Sequence, residues 1–439
     1  MRVISSFLTC GRRQLHTIVS REIIKPSSPT PSNLKTYNLS STDQFAPDAY
    51  IPMVIFYPNS NNNFHVNMKN SLSQTLTHYY PFAGRLATTT PSFVDCNDEG
   101  VEFLEAQNDK ELSDFLHNMQ HEDLDQLSPN GLVWKKLRSC SFENDTASPL
   151  AVQVNQFACG GLAVAASLSH KLADGSSLCN FFNDWAIMTR LRSTDGSPID
   201  PQFMPSKKTK LNFQGLSLDK SRDSSVTKSF VFAGSKLNEL KLKVITMTAE
   251  SEQPIMNPTR IEVLNWLLYK CALKAATHNN LGSFKPTGFI LVTNIRNKMI
   301  EPLPKTTIGN FFKLPSFPTK DLSEITLSTF VGQLKNLKVE VQGLNAAEIP
   351  PHMSLQAILE EQQRELDDYY GCTSFCRYPF YEVDFGWGKP IKAAIPGTLK
   401  NNSFFAMDAP DGDGIEVFVS LGKEDMEIFE RDPELLSFC

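Results

Sequence analysis

Imidazole is the side chain whose ordinary pKa lets it take up and release a proton near pH 7, so the eight histidines of this 439-residue chain come first as acid–base candidates. Two of them stand four residues before an aspartate: His170 in Ser169-His170-Lys171-Leu172-Ala173-Asp174-Gly175, and His121 in His121-Glu122-Asp123-Leu124-Asp125. The His-x-x-x-Asp spacing therefore cannot choose between them. The acid-crowded stretch at His121 reads as a solvated helix face, where i,i+4 spacing only puts both side chains on one side. His170 instead terminates the apolar run Leu162–Ser169, close to Gly160, Gly161 and Gly175. A rigid element ending there would deliver an imidazole into a cleft, where it could remove the proton of an alcohol as general base. A hydrogen-bonded core histidine is the competing reading of the same pattern. Asp174 also has two readings: it orients His170 as in a triad, or it holds the turn through a distant cation. Gly175 allows the backbone to swing the carboxylate away from His170, which favours the second.

Other chemistries find little to work with. The sequence lacks a Gly-x-Ser-x-Gly elbow, so Ser169 and Ser176 are poor hydrolase nucleophiles, and it lacks a P-loop and a dinucleotide fingerprint. Its nine cysteines are odd in number and scattered, unlike a disulfide framework. Cys372 and Cys376, the close set, have no further Cys or His at zinc spacing, so they read as buried thiols and no metal is expected. A second signal is Asp384-Phe385-Gly386-Trp387-Gly388-Lys389-Pro390, whose glycines and proline force a tight non-helical course around two large aromatics. Asp384 reads there as part of an aromatic-packed corner, and Lys389 is available to meet a phosphate.

The elements that must carry these residues alternate between strand and helix. Thr17–Ile24 is a strand that ends at Lys25-Pro26, and Met68–Tyr80 is a helix stopped by Pro81. Phe93–Cys96 and Val101–Leu104 form a hairpin across Asn97-Asp98-Glu99-Gly100. Leu162–Ser169 is a strand buried on both faces, followed by a sharp turn and a helix that Ser176 caps. Thr259-Arg260-Ile261-Glu262 is a capping box that opens another helix. Gly288–Arg296 is a strand, and Ser403–Met407 with Ile415–Leu421 makes a late hairpin.

With 41% hydrophobic and 21% charged residues the chain is globular and can bury a large core. Its length calls for two domains. The loss of periodicity around Ser193–Ser229, with Pro, Ser and Lys gathered there, places a crossover between them. The expected division is an extension at 1–16, an N-terminal domain at 17–195, a linker at 196–229 and a C-terminal domain at 230–439. A net charge of −6 speaks against a nucleic-acid surface, and no run of about 18 apolar residues offers a membrane span. The first residues carry Arg2, Arg12 and Arg13 with no acid before Glu22, the composition of a transit peptide. A plain extension fits as well, so the expected location is cytoplasmic, or organellar if that segment is a targeting signal.

The runs His170–Gly175 and Asp384–Gly388 occur in one chain, in that order, together with Ile24–Pro31, Asp43-Gln44, Tyr80–Arg85, Asn294-Ile295-Arg296 and Gly309-Asn310. In this the sequence resembles the plant BAHD acyltransferases, and within them the alkaloid acetyltransferase branch. The resemblance implies an α/β fold of two chloramphenicol-acetyltransferase-like domains, each a mixed sheet with helices. An active-site channel runs between them, and residues 370–395 pack with the N-terminal domain. It further implies acyl-CoA as co-substrate with no permanently bound cofactor, a small-molecule alcohol acceptor and a monomer. His170 is then the general base, Asp174 pairs with Arg296, and Thr373 lies near the oxyanion. Asp384, Gly386, Trp387 and Gly388 shape the CoA side from a distance, beside Lys389.

The chain departs from a common family pattern by reading Thr373-Ser374-Phe375 where many relatives have Thr-Ser-Trp. An indole N–H that could serve the oxyanion is thereby lost, a donor worth roughly 3 kcal/mol of barrier. The run Thr307-Ile308-Gly309-Asn310-Phe311 replaces the Tyr-Phe-Gly-Asn-Cys run of flavonoid malonyltransferases, which favours acetyl-CoA as donor. A different acyl donor, a condensation-domain-like relative acting on carrier-bound thioesters, and a non-catalytic relative that only binds ligand are the alternatives.

Overall fold

The computed structural model describes residues 16–58, 64–87, 92–134, 146–191, 199–204, 225–252, 254–343, 368–397 and 401–439. Residues 1–15 of the extension, and 196–198 and 205–224 of the expected crossover, lie outside these.

The first half runs β1 (Thr17–Ile24), α1 (Ser41–Phe45), β2 (Tyr50–Tyr57), α2 (Phe64–His78), β3 (Val101–Asn108), β4 (Leu150–Phe157), β5 (Leu162–Ser169) and α3 (Gly175–Arg190). The second half begins with β6 (Ser225–Phe232), α4 (Gly234–Thr248), α5 (Arg260–Asn279), β7 (Thr287–Asn294), β8 (Phe312–Lys313) and β9 (Ser316–Thr319). It continues with α6 (Leu327–Glu340), β10 (Asp368–Ser374), β11 (Lys392–Ala394), β12 (Ser403–Asp408) and β13 (Ile415–Gly422).

Six strands make the first sheet, in the order β1-β3-β4-β5-β2-β11. Every residue of β2 and β5 is buried, as continuous apolar runs require when both faces of a strand are covered. The second sheet is ordered β6-β13-β12-β10-β7-β8, with β9 also pairing β7. Its two faces do different work because strand side chains alternate. Tyr370, Cys372, Phe404 and Ala406 join Trp266 and Leu267 of α5 in one core. Phe375, Phe405, Met407 and Phe418 join the core of the first half.

The halves also exchange backbone. β11 pairs antiparallel with β2, setting Ala394 opposite Val54, and Tyr57 Oη donates to the Val383 carbonyl at 2.8 Å. Within the crossover, Gln202-Phe203 runs parallel to Thr307-Ile308 of the second half.

Three sequence readings are corrected. Phe93–Asp95 and β3 are not a hairpin: the former pairs with Thr36–Asn38 and Arg85–Leu86 in a small four-stranded sheet, whereas β3 pairs with β1 and β4. Turn chemistry at Asn97–Gly100 fixes a bend but not the partners, because each strand's backbone hydrogen bonds are taken up by other strands. His121 is not on a solvated face. It opens a 3-10 helix, His121–Leu127, with Nε2 2.8 Å from the Gly397 carbonyl and its ring 5.8 Å from that of Phe418. The cap of α3 is Asp174 rather than Ser176, since the Asp174 carboxylate accepts from Ser177 N at 3.0 Å.

Candidate active site

β5 delivers His170 at its end, where the His170 N–H donates to the Ala49 carbonyl at 2.8 Å. The chain then turns on Ser169, whose carbonyl accepts from Leu172 N at 3.0 Å and Ala173 N at 3.2 Å. Asp174 is reached at the N-cap of α3, and its carboxylate faces away from the imidazole. Arg296, just past β7, grips it in a bidentate fork, Nη1 to Oδ2 at 2.7 Å and Nη2 to Oδ1 at 3.0 Å. Ser177 N and Oγ at 3.0 Å and Phe311 N at 3.1 Å fill its remaining lone pairs. Burial pushes the Asp174 pKa up, but Arg296 and these donors outweigh burial and hold the carboxyl below its ordinary range. Arg296 also donates to the carbonyls of Thr307 and Gly309. The pair thus ties helix α3 of the first half to the strap 307–311 of the second.

That strap supplies the partner of His170. Gly309 has φ +138, a conformation L side chains rarely adopt, and the residue after it, Asn310, is fully buried. Asn310 Oδ1 lies 3.0 Å from His170 Nδ1, while its Nδ2 donates to the His170 carbonyl at 2.7 Å and to Asp43 Oδ1 at 2.9 Å. Both amide hydrogens are therefore spent on acceptors, so the amide oxygen must face the ring and Nδ1 must carry the proton. Nε2 is left as the proton acceptor. The Phe312 ring stands 5.9 Å from the imidazole. Burial lowers the His170 pKa below its ordinary value, keeping the ring neutral at pH 7.

Asp43 completes this cluster from α1. The Ser40-x-x-Asp43 capping box uses Oδ2, which accepts from Ser40 N at 3.0 Å and Ser40 Oγ at 2.7 Å. Oδ1 accepts from both Asn310 nitrogens, the backbone N–H at 2.8 Å. Burial raises the Asp43 pKa to about 6. Neither Asp43 nor Asn310 is among the site residues expected from the sequence. In the sequence, Asp43-Gln44 and Gly309-Asn310 stand out only as runs that carry the family resemblance.

Thr373 lies on β10 between Val292 and Phe405 in register, on the sheet face that meets the first half. Phe375 follows on the same face, 5.6 Å from the ring of Tyr378 and 6.0 Å from that of Phe405. A Cβ added to Gly175 would come within 2.4 Å of the Phe375 ring. Gly175 is thus there to admit that ring, not to swing Asp174 aside.

The Asp384–Gly388 loop is a corner. Asp384 Oδ1 accepts from Gly386 N at 2.7 Å and Gly388 N at 3.0 Å, and Arg190 at the end of α3 holds the Asp384 carbonyl. Phe385 packs edge-on against Trp185 of α3 at 5.0 Å and stacks on Trp387 at 5.4 Å. The loop braces the far end of the helix whose start carries Asp174. The Lys389 ammonium forms an exposed ion pair with Glu382 at 2.6 Å. Among the described residues one group could hold a metal, Cys271, Asp432 and Glu434. Glu434 there is already bound by Lys270 and Lys274. A cavity of about 450 Å³ sits elsewhere, lined by Thr287, Asp368, Asn402 and Gly422 among others. It contains none of the residues just described. No helix among the described residues is long and apolar enough to cross a membrane.

Residues 16–436 match a protein-family model described as the Transferase family. The chain is 35% identical over 440 residues to 17,18-epoxy-17-hydroxycur-19-ene N-malonyltransferase of Strychnos nux-vomica, covering 96% of this chain and 90% of that one. It is 32% identical to deacetylvindoline O-acetyltransferase of Catharanthus roseus, covering 96% and 97%. The crystal structure of vinorine synthase superposes with a TM-score of 0.78 at 31% identity, covering 96% of this chain and 98% of that chain. Matches of this extent, on a two-domain α/β frame, establish that the chain belongs to the Transferase family of BAHD acyltransferases and is an acyltransferase.

Proposed function

We infer that this enzyme transfers an acetyl group from acetyl-CoA to a hydroxyl of a specialised metabolite, an alkaloid or terpenoid alcohol, with His170 as general base. The observation that carries this is the neutral imidazole pinned by Asn310 where the two halves meet, with Nε2 left as acceptor. The alcohol proton passes to Nε2 as the oxygen attacks the thioester carbonyl. The tetrahedral intermediate then collapses, the C–S bond breaks and the thiolate takes the proton back from Nε2. No covalent acyl-enzyme is required. Holding both substrates in attack geometry supplies much of the acceleration, and the base adds about 10²–10⁴-fold.

Thr373 is the proposed donor for the oxyanion, since Phe375 has no N–H to give. Asp174 with Arg296, and Asp384, Gly386, Trp387 and Gly388, keep α3 and the strap in place. Lys389 is a candidate for the CoA phosphates once released from Glu382. The acetyl assignment draws on the deacetylvindoline O-acetyltransferase likeness, and the N-malonyltransferase likeness makes malonyl-CoA the competing donor.

The test offers acetyl-CoA or malonyl-CoA with a panel of alkaloid and terpenoid alcohols and follows free thiol. Acceptor-dependent release with acetyl-CoA is expected, reduced about 10²–10⁴-fold in His170→Ala. If His170→Ala releases as much thiol as the native chain, or no acceptor elicits release, the assignment fails.

A further inference from the structure

We propose that Asp43 is a positioning residue for catalysis: it fixes the orientation of the Asn310 amide and, through it, the Nδ1–H tautomer of His170. This rests on the reading of His170 as base and names the group that keeps it ready. The geometry is specific. Asn310 is fully buried and Asp43 is 1% exposed, so neither can exchange its partner for bulk water.

An amide can be turned over by 180° with little change of shape, and only its neighbours decide which end is oxygen. Around Asn310 the deciding neighbours are Asp43 Oδ1 at 2.9 Å and the His170 carbonyl at 2.7 Å. Both accept only, so both require the NH₂ end. The carbonyl alone would set this weakly, because one neutral acceptor is weighed against the ring nitrogen. A carboxylate oxygen makes a charge-assisted bond about twice as strong. Asp43 is itself immobile because its other oxygen is spent on the Ser40 cap. Its Oδ1 also takes the Asn310 backbone N–H at 2.8 Å, which fixes the strap as well as the amide.

The chemical consequence follows from the ring. If the amide turned over, its NH₂ would face Nδ1 and draw the lone pair there. The proton would move to Nε2, and the reacting nitrogen would become a donor unable to accept from the alcohol. Asp43 does not touch substrate, and it takes no proton in the reaction. It holds a charge where the charge decides the direction of a neighbouring dipole.

Two readouts test this on the full-length chain labelled with ¹⁵N at histidine. Two-dimensional ¹H–¹⁵N long-range spectra report which ring nitrogen of His170 carries the proton, with the signal assigned by its loss in His170→Ala. The native ring is expected to show Nδ1–H. In Asp43→Asn the signal is expected to move towards the Nε2–H form or an average of the two. In parallel kcat is expected to fall about 10- to 100-fold, the range that follows loss of an outer-shell partner of a metal-bound histidine, to which Asp43 is analogous in acting through Asn310, with KM for the acyl-CoA within about twofold. Asp43→Glu, which keeps the carboxylate, is expected to recover part of both signals. Should Asp43→Asn not fold, Asp43→Ser carries the same measurement, and the native spectrum decides independently. A native ring found as Nε2–H, or a folded variant with an unmoved tautomer and unchanged kcat, overturns the proposal. A shifted tautomer in a protein that acylates no acceptor would leave the positioning role standing and remove the assigned reaction instead.

Discussion

At the scale of single residues, His170 and Asp174 are four positions apart yet answer to different partners. The imidazole is oriented by Asn310, and the carboxylate is clamped by Arg296. Arg296 and Asp174 are 5% and 7% exposed, so each is buried chiefly because the other is. Removing one charge of such a pair leaves the other uncompensated. Arg296→Met is therefore expected to destabilise the fold by about 3–5 kcal/mol, read from the denaturant midpoint, whereas the double change with Asp174→Leu should recover much of that loss. A loss below about 1 kcal/mol in the single variant would mean that the pair contributes little. Linkage gives the same sign: a carboxyl whose pKa is lowered on folding stabilises above its unfolded value, and that contribution disappears as pH falls through the folded one.

At the scale of elements, β5, the turn at 170–174 and α3 form one unit whose two ends are secured by the second half. The strap 307–311 holds the start of α3, and the Asp384–Gly388 loop holds its end through Arg190 and Trp185. Helix α5 has a less well-suited end. Gly282 N reaches the Thr277 carbonyl at 2.9 Å and Leu281 N that of His278 at 3.2 Å, the paired bonds of a Schellman close. That close requires a left-handed residue at Leu281, which has φ +56 and is 98% exposed. A leucine pays a steric penalty there that glycine does not, and its side chain buries nothing in return. Leu281→Gly should raise stability by about 1 kcal/mol, measured by chemical denaturation, with the acyltransferase rate unchanged. An equal or lower midpoint would show that the leucine packs in solution.

At the scale of the whole molecule, the two halves share structure rather than merely abut. β11 completes the first sheet, Tyr57 reaches Val383, and Arg296 crosses to Asp174. The inner face of the second sheet, with Phe405 and Phe418, is part of the first half's core. Neither half can therefore unfold without exposing apolar surface of the other. Calorimetry should show one unfolding transition with matching calorimetric and van't Hoff enthalpies. Two resolved transitions would mean that the shared strand and ring contacts contribute less than each half's own core.

The sequence by itself determined the local elements and the family. The edges of β1 and β5 could be read from apolar runs and their stops, α5 from its Thr259 capping box, and β12–β13 from a turn between alternating strands. His170 was legible because an apolar strand ended there, and Asp384–Gly388 because two glycines and a proline leave the chain few paths. Those signals are short-range, and so is the physics behind them. What depends on distant partners came only from the tertiary structure. It decided that Phe93–Asp95 and β3 part company, that His121 is covered, and that Gly175 makes room for Phe375. It also assembled Asp43, Asn310 and His170 from positions 43, 310 and 170, since the hydrogen bonds that give Asp43 and Asn310 a bearing on the imidazole exist only once α1, the strap and β5 are folded together.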